Sequence, residues 1–114
     1  MKAVYKMHAE FVRTIAHPKR LEILDLLRVG EVNVTCLARA MAVRTVNVSQ
    51  ELAPLRNAGI VETRRSGKTV FYRLTNQNIL RAYELIAQTM RELAATRADL
   101  VKKDKRSKAP ASPS

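Results

Sequence analysis

The chain has 114 residues, of which 46% are hydrophobic, and this is enough for one globular domain whose core needs no disulfide bonds. Its 21 basic and 10 acidic residues give a formal net charge of +11, which favours a polyanionic partner, either nucleic acid or an anionic membrane surface. A single cysteine excludes an internal disulfide, no apolar run approaches the roughly 18 residues of a membrane span, and the start lacks a secretory signal pattern, so we expect a cytoplasmic protein.

Two helices are predicted before residue 30. Over residues 2–16 apolar side chains recur at intervals of three and four, which is typical of one face of an amphipathic helix: Val4, Met7, Phe11 and Ile15. Pro18 lacks a backbone N–H and suits the first turn of a helix, so the second helix is predicted to begin there and to end at Gly30. Its inward side chains are Leu21, Leu24 and Leu27, with Ile23 as a weaker candidate.

Residues 37–59 have the pattern of two short helices joined by a tight turn at residues 41–44, a helix-turn-helix. Asn33 is placed to cap the first helix, and Gly59 to end the second. The inner faces hold Leu37, Ala38 and Met41, then Val48, Leu52 and Leu55. The outer face of the second helix carries small or amide side chains that suit base edges in a DNA major groove: Thr45, Val46, Asn47, Ser49 and Gln50. Two ordinary surface helices would give the same pattern.

After Gly59 the apolar period changes to about two, which indicates a β-hairpin. Its predicted strands lie in residues 60–63 and 69–74, with a polar loop over residues 65–68. The basic residues at the tip are Arg64, Arg65 and Lys68. A cationic hairpin directly after a helix-turn-helix is the arrangement of a winged helix, in which the wing contacts phosphates beside the groove.

A last helix is predicted from Asn76 to about Leu100, with an apolar seam that alternates by four and three residues. A domain this small has little surface left to cover both this seam and the first helix, so we predict a homodimer through Val4, Phe11, Ile15, Ile79, Tyr83, Ile86, Met90 and Leu93. The alternative is that both helices fold back onto the monomer's own core. Residues 101–114 are predicted to form a basic disordered tail after a domain that spans residues 1–100.

Together these segments resemble the ArsR/SmtB family of small dimeric winged-helix transcriptional repressors, over residues 11–93. The resemblance rests on HPKRLEILDLL at 17–27, GEVNVTCLARAM at 30–41, VSQEL at 48–52, LRNAGIV at 55–61 and RRSGKTVFYRL at 64–74. It implies a mainly helical α+β fold in which the helix beginning near Thr45 enters the major groove, the hairpin is the wing and the terminal helices form the dimer interface.

The family's metal-sensing sites are not matched. Members that bind arsenic or cadmium carry Cys-Val-Cys where this chain has Asn33-Val34-Thr35, and the other common site uses Asp and His on the last helix, where residues 76–100 contain no His. Cys36 alone cannot supply the three or four ligands of such a site, so we expect no metal and no other cofactor. His8 and His17 are interpreted as surface or capping groups.

Three departures from the family pattern fall within or beside the second hairpin helix. Ala42 stands where such turns often carry Gly, so a positive φ there would cost on the order of 1 kcal/mol. Pro54 removes one helical hydrogen bond and is expected to kink or shorten the helix after Leu52. Glu51 opposes phosphate unless it accepts a hydrogen bond from a cytosine amine or pairs with Arg44 or a wing arginine.

These features favour a sequence-specific regulator, a dimeric repressor on an inverted repeat of double-stranded DNA. Asn47 and Gln50 are the expected base readers and both suit adenine. Arg64, Arg65 and Lys68 are expected to make phosphate or minor-groove contacts, and Arg44 is also expected to bind DNA. Cys36 is either an oxidation switch or, as we favour, a buried structural thiol. The chief alternative is a non-specific architectural protein bound through charge, and a protein-binding winged helix is another. An enzyme is not expected, because no paired His, Cys-His motif or glycine-rich phosphate loop is present.

Overall fold

A computed structural model describes the backbone of residues 2–108 and the side chains as far as residue 104. The described elements, in chain order, are α1 (Lys2–Ile15), α2 (Pro18–Leu26), a 3₁₀ turn (Leu27–Val29), β1 (Val32–Asn33), α3 (Val34–Met41), α4 (Thr45–Asn57), β2 (Val61–Ser66), β3 (Thr69–Leu74) and α5 (Asn78–Lys108). This order confirms the predicted mainly helical α+β class with a winged helix-turn-helix.

The chain divides into two compact units, the first ending at Leu80 and the second beginning at Arg81. The core of the first unit joins side chains of α2, the 3₁₀ turn, α3, α4, the strands, the residue before β2 and the first turn of α5: Ile23, Leu24, Leu27, Leu37, Ala38, Val48, Leu52, Leu55, Ile60, Val61, Leu74 and Leu80. Burying each large aliphatic side chain contributes about 1.5–3 kcal/mol, so this core holds the two hairpin helices against α2 and the sheet. The predicted inner faces are confirmed, except that Leu21 and Met41 are only half-buried.

The sheet has three antiparallel strands in the order β1-β3-β2. Sequence reasoning missed β1, in which Val32 pairs with Tyr72 and Asn33 with Phe71. The β2–β3 hairpin is tighter than predicted, because Ser66 pairs with Thr69 and only two residues remain in the loop. Gly67 has a φ of +62°, the sign that a two-residue hairpin turn with glycine in first place requires.

Helix α5 begins at Asn78, where Asn76 Oδ1 accepts a hydrogen bond from the Asn78 N–H at 2.8 Å. It continues to Lys108, so the predicted end near Leu100 is wrong, and residues 101–108 are helical rather than disordered. No Gly or Pro occurs between Asn78 and Ala109, and Lys and Arg are good helix formers. The rest of the predicted tail, residues 109–114, lies outside the described residues.

Both terminal helices leave large apolar side chains in solvent. On α1, Val4 is 39% and Phe11 40% exposed, and Ile15 is half-buried. On α5 the exposed fractions of Ile86, Met90 and Leu93 are 60–65%. Among its described residues, the first unit thus leaves Val4 and Phe11 of α1 exposed. No helix in residues 2–108 has the length and apolar content to cross a membrane.

Candidate nucleic-acid interface

The helix-turn-helix comprises α3 and α4, and the same backbone motif ends both helices. Asn33 caps α3 as predicted, since its Oδ1 accepts a hydrogen bond from the Cys36 N–H at 2.8 Å. At the other end Ala42 adopts the left-handed conformation, with φ 56° and ψ 43°, and the Val43 N–H donates to the Ala38 carbonyl at 3.0 Å. This is a Schellman motif with alanine where glycine is usual. The positive φ considered for Ala42 is confirmed.

Helix α4 ends in the same way. The Ile60 N–H donates to the Leu55 carbonyl at 2.9 Å, and the Gly59 N–H donates to the Arg56 carbonyl at 3.0 Å. The helix runs without interruption through Pro54 to Asn57, so the predicted shortening after Leu52 is wrong. Buried Leu55 and the Schellman motif hold the last turn in place. The carbonyl that loses its partner belongs to exposed Gln50, where water can solvate it.

The exposed face of α4 lies opposite its three buried side chains, Val48, Leu52 and Leu55. Val46 is 47% exposed, and Ser49, Gln50 and Ala53 follow it at the helical spacing of three and four. Thr45 and Arg44 are exposed at the start of the helix. Asn47, which was ranked with Gln50 as a base reader, is half-buried on the flank of this face. Of the two expected base readers, Gln50 is therefore the more exposed.

Glu51 does not belong to this exposed face. Its Oε1 accepts a hydrogen bond from Arg20 Nε of α2 at 2.9 Å, and the two side chains are 26% and 16% exposed. The predicted protein partners, Arg44 or a wing arginine, are wrong, because the residue lies on the side of α4 that packs against α2. Its negative charge is neutralised within the protein.

The wing, defined here as β2, β3 and their connecting turn, carries one predicted DNA-binding cation that has partners within the protein and two that are exposed. Arg64 donates from Nε to Glu31 Oε2 at 2.7 Å, and its guanidinium carbon lies 5.1 Å from the centroid of the Phe71 ring. Arg65 and Lys68 are exposed and form no ion pair with any described residue. The three predicted basic residues are thus not equivalent, since Arg64 contacts Glu31 and Phe71, whereas Arg65 and Lys68 are exposed without an ion-pair partner among the described residues.

Two further exposed arginines lie on the helix-turn-helix, and the sequence analysis did not predict them as DNA-binding residues. Arg39 lies on the outer side of α3, and Arg56 lies in the last turn of α4. Arg39 occupies a position opposite the buried face of α3, and Arg56 lies on the flank of the buried face of α4, directly after Leu55. The period that located the core side chains was sufficient to place these two in solvent as well.

Cys36 is exposed, so the favoured interpretation as a buried structural thiol is wrong. The inward side of α3 is formed by Leu37 and Ala38, and Cys36 lies one position before it, in the first turn. The family's thiol site does not fit this chain, because its two thiol positions hold Asn33, whose side-chain Oδ1 caps α3, and Thr35, and neither supplies a thiolate. Within residues 2–104, no group of three or more His, Cys, Asp or Glu side chains is arranged to hold a metal ion.

The two histidines lie outside the helix-turn-helix and the wing. His8 is exposed on α1 and makes an edge-to-face contact with Tyr5, with ring centroids 6.5 Å apart. His17 occupies the N-cap position of α2 but its side chain forms no capping hydrogen bond. His17 therefore precedes the helix as expected without capping it through its ring.

Comparison with known proteins agrees with this geometry. The family model described as bacterial regulatory protein, arsR family, matches residues 17–63. The HTH-type transcriptional regulator Rv0081 of Mycobacterium tuberculosis is 38% identical over 103 residues, which are 86% of this chain and 84% of that protein. Its crystal structure matches with a TM-score of 0.67 and 37% identity over 86% of this chain and 96% of that one.

Two other relatives carry more specific descriptions. A biofilm growth-associated repressor of Agrobacterium fabrum is 41% identical over 78 residues, covering 68% of this chain and 67% of that protein. The solution structure of a homodimeric winged helix-turn-helix DNA-binding domain from Mycobacterium bovis has a TM-score of 0.72 and 31% identity, covering 82% of this chain and 86% of that one. The exposed face of α4, the cationic wing and these matches lead to one assignment: the chain belongs to the ArsR family of winged helix-turn-helix, DNA-binding transcriptional regulators.

Proposed function

We propose that the protein is a homodimeric repressor that recognises an inverted-repeat operator and blocks transcription by occupying the promoter. The observation that carries this proposal is the juxtaposition of an exposed, uncharged face on α4 with an unpaired cationic tip on the wing of the same compact unit. A groove-reading helix needs side chains that discriminate bases, and its flanks need charge for phosphates. The relatives described as a repressor and as a homodimeric DNA-binding domain support the same function.

Base reading is assigned to α4. Gln50 is the first candidate, because its exposed amide can form paired hydrogen bonds with adenine, and Val46 is placed to contact a thymine methyl group. Ser49 and Thr45 offer hydroxyl groups, and half-buried Asn47 reaches the groove from the flank. No Lys or Arg lies between Thr45 and Leu55, so the half-site recognised by this helix favours A·T pairs.

Phosphate binding is assigned to the exposed cations around the reading helix. Arg65 and Lys68 are the candidates on the wing, and Arg44 is the candidate at the start of α4. Arg39 and Arg56 are two further candidates on α3 and α4. Arg64 contributes by fixing the wing through Glu31 and Phe71 rather than by binding DNA. This division of roles predicts that salt dependence comes mainly from the exposed cations.

Dimerisation is assigned to the apolar stripes of the terminal helices, in which Ile15, Ile79 and Tyr83 are half-buried and the other side chains are exposed. Val4, Phe11 and Ile15 form the stripe of α1, and that of α5 consists of Ile79, Tyr83, Ile86, Met90 and Leu93. A two-fold dimer presents two copies of α4, which is the geometry that matches an inverted repeat with half-sites about 34–36 Å apart, one helical turn of DNA. A repressor of this kind acts in the cytoplasm, where its DNA lies.

The test begins from a pool of random duplexes, because the operator is found by repeated selection and amplification on the intact protein. The dissociation constant is then measured for the selected duplex and for a scrambled duplex of the same composition, at several salt concentrations. A specific repressor is expected to prefer the selected duplex by about 10³-fold or more at moderate salt. If no duplex outcompetes scrambled DNA, the net charge of +11 accounts for the binding and the protein is the non-specific alternative.

A further inference from the structure

Arg20 connects three helices through one guanidinium group. Its Nε donates to Glu51 Oε1 of α4, and its Nη1 donates to the backbone carbonyl of Thr14 in the last turn of α1, both at 2.9 Å. Arg20 itself belongs to α2. A single side chain therefore joins the helix with the exposed apolar stripe to the helix that carries the reading face.

This link is better shielded from water than the other described ion pairs. The side chains of Arg20 and Glu51 are 16% and 26% exposed, whereas Arg28 and Asp25 are 55% and 46% exposed. The guanidinium is planar, so the directions of Nε and Nη1 are fixed relative to each other and the two acceptors must keep a fixed relative position. A lysine has no such fork and cannot impose the same constraint.

The position of Glu51 on α4 allows the contact with Arg20 to fix the rotation of α4 about its axis. Glu51 faces α2, while Gln50 and Val46 lie on the exposed side, so a rotation of α4 that breaks the Arg20 contact moves the base readers across the groove. We propose that Arg20 is a positioning residue that sets the orientation of α4 relative to α1, and thereby the relative orientation of the two reading helices in a dimer. This inference rests on the proposed dimeric function.

The direct test measures the distance between the two copies of α4 in the free dimer. Cys36 is the only cysteine, so Cys36→Ser combined with Ala53→Cys places one spin label on the exposed side of each α4. Dipolar spectroscopy then gives the distance distribution in the parent protein and in Arg20→Gln. Arg28→Gln is the matched control, because it removes a guanidinium from an exposed ion pair that does not involve α1 or α4.

We expect one narrow distribution in the parent protein and in Arg28→Gln, and a shifted or broadened one in Arg20→Gln at temperatures well below unfolding. Without labels, Arg20→Gln should lower the ratio of specific to scrambled DNA affinity by about 3- to 30-fold, with its dimerisation constant unchanged. Glu51→Ala removes the acceptor on the α4 side of the same link, so it gives the same result should Arg20→Gln fail to fold.

Failure of the positioning role and failure of the proposed dimeric function give different results. An unchanged distribution and an unchanged affinity ratio in both Arg20→Gln and Glu51→Ala would overturn the positioning role and leave the repressor proposal intact. Absence of any dipolar signal in the parent protein would overturn the dimer, and with it the coupling between α1 and α4. Equal effects of Arg28→Gln and Arg20→Gln would also overturn the inference, since they would show only a general response to lost charge.

Discussion

The two Schellman motifs of the helix-turn-helix give a matched pair of stability predictions. Ala42 and Gly59 occupy equivalent positions after α3 and α4, with φ values of 56° and 76°. A left-handed residue with a side chain costs roughly 1–2 kcal/mol, and alanine recovers about 0.4–1 kcal/mol relative to glycine by restricting the unfolded chain. Ala42→Gly should therefore stabilise the protein, and Gly59→Ala should destabilise it, each by about 0.5–1 kcal/mol.

No steric term complicates the comparison. A Cβ built on Gly59 has no heavy atom within 4 Å, so the expected loss in Gly59→Ala is conformational alone. For a domain of this size the changes correspond to shifts of about 2–8 °C in Tm, upward for Ala42→Gly and downward for Gly59→Ala.

Urea unfolding at fixed protein concentration measures the midpoint and the slope separately, and fixed concentration is needed because a dimer's apparent stability depends on it. A lower midpoint for Ala42→Gly, or an unchanged one for Gly59→Ala, would refute the assignment of left-handed strain to these two turns.

Four further predictions address the surface. Gln50→Ala should reduce discrimination at one base pair by about 1–3 kcal/mol, and Asn47→Ala should reduce it by less because Asn47 is half-buried. The measurement compares the affinity for the operator with that for operators in which one base pair is changed. Equal losses of discrimination in the two variants would contradict this ranking. Arg65→Ala should weaken binding to specific and scrambled DNA alike, and it should lower the slope of log affinity against log salt concentration by about 1. Arg64→Ala should leave that slope unchanged, because Arg64 is paired with Glu31. Titrations at several salt concentrations measure both slopes, and a smaller slope for Arg64→Ala would place Arg64 at a phosphate. Phe11→Glu should give monomers in analytical ultracentrifugation. The control Val29→Glu should remain a dimer, because Val29 is 87% exposed and lies outside the proposed interface. A dimer that persists in Phe11→Glu would exclude α1 from the interface. The Cys36 thiol should react with a disulfide reagent in the native protein as completely as in denaturant, and protection in the native state would show that it is covered.

Periodicity was enough to predict most of the fold because every long helix carries an apolar stripe at helical spacing, and α3 and α4 bury theirs in the core. The inner faces of α3 and α4 follow from apolar spacing alone, and the change of period after Gly59 located the wing. The two residues of β1 are too few to show any period, so this strand was missed. The end of α5 was misplaced because its charged last turns resemble a disordered segment in composition while remaining good helix formers.

Side-chain partners were harder to predict than elements. Glu51 pairs with Arg20, which lies 31 residues earlier, and Arg64 pairs with Glu31 at a separation of 33. Neither distance in sequence carries a local signal, since both contacts depend on how α2 and β1 are placed in the folded unit. Cys36 was misassigned for a local reason, because one position along α3 separates its exposed side from the buried Leu37.

The central claim is that two copies of α4 read one operator, and the stoichiometry of the complex tests it most directly. Native mass spectrometry or sedimentation of the protein with the selected duplex, at moderate salt, should give two chains per duplex. Duplexes that carry flanking DNA on either side should keep that number. One chain per operator, or a number of bound chains that rises with duplex length, would contradict the account.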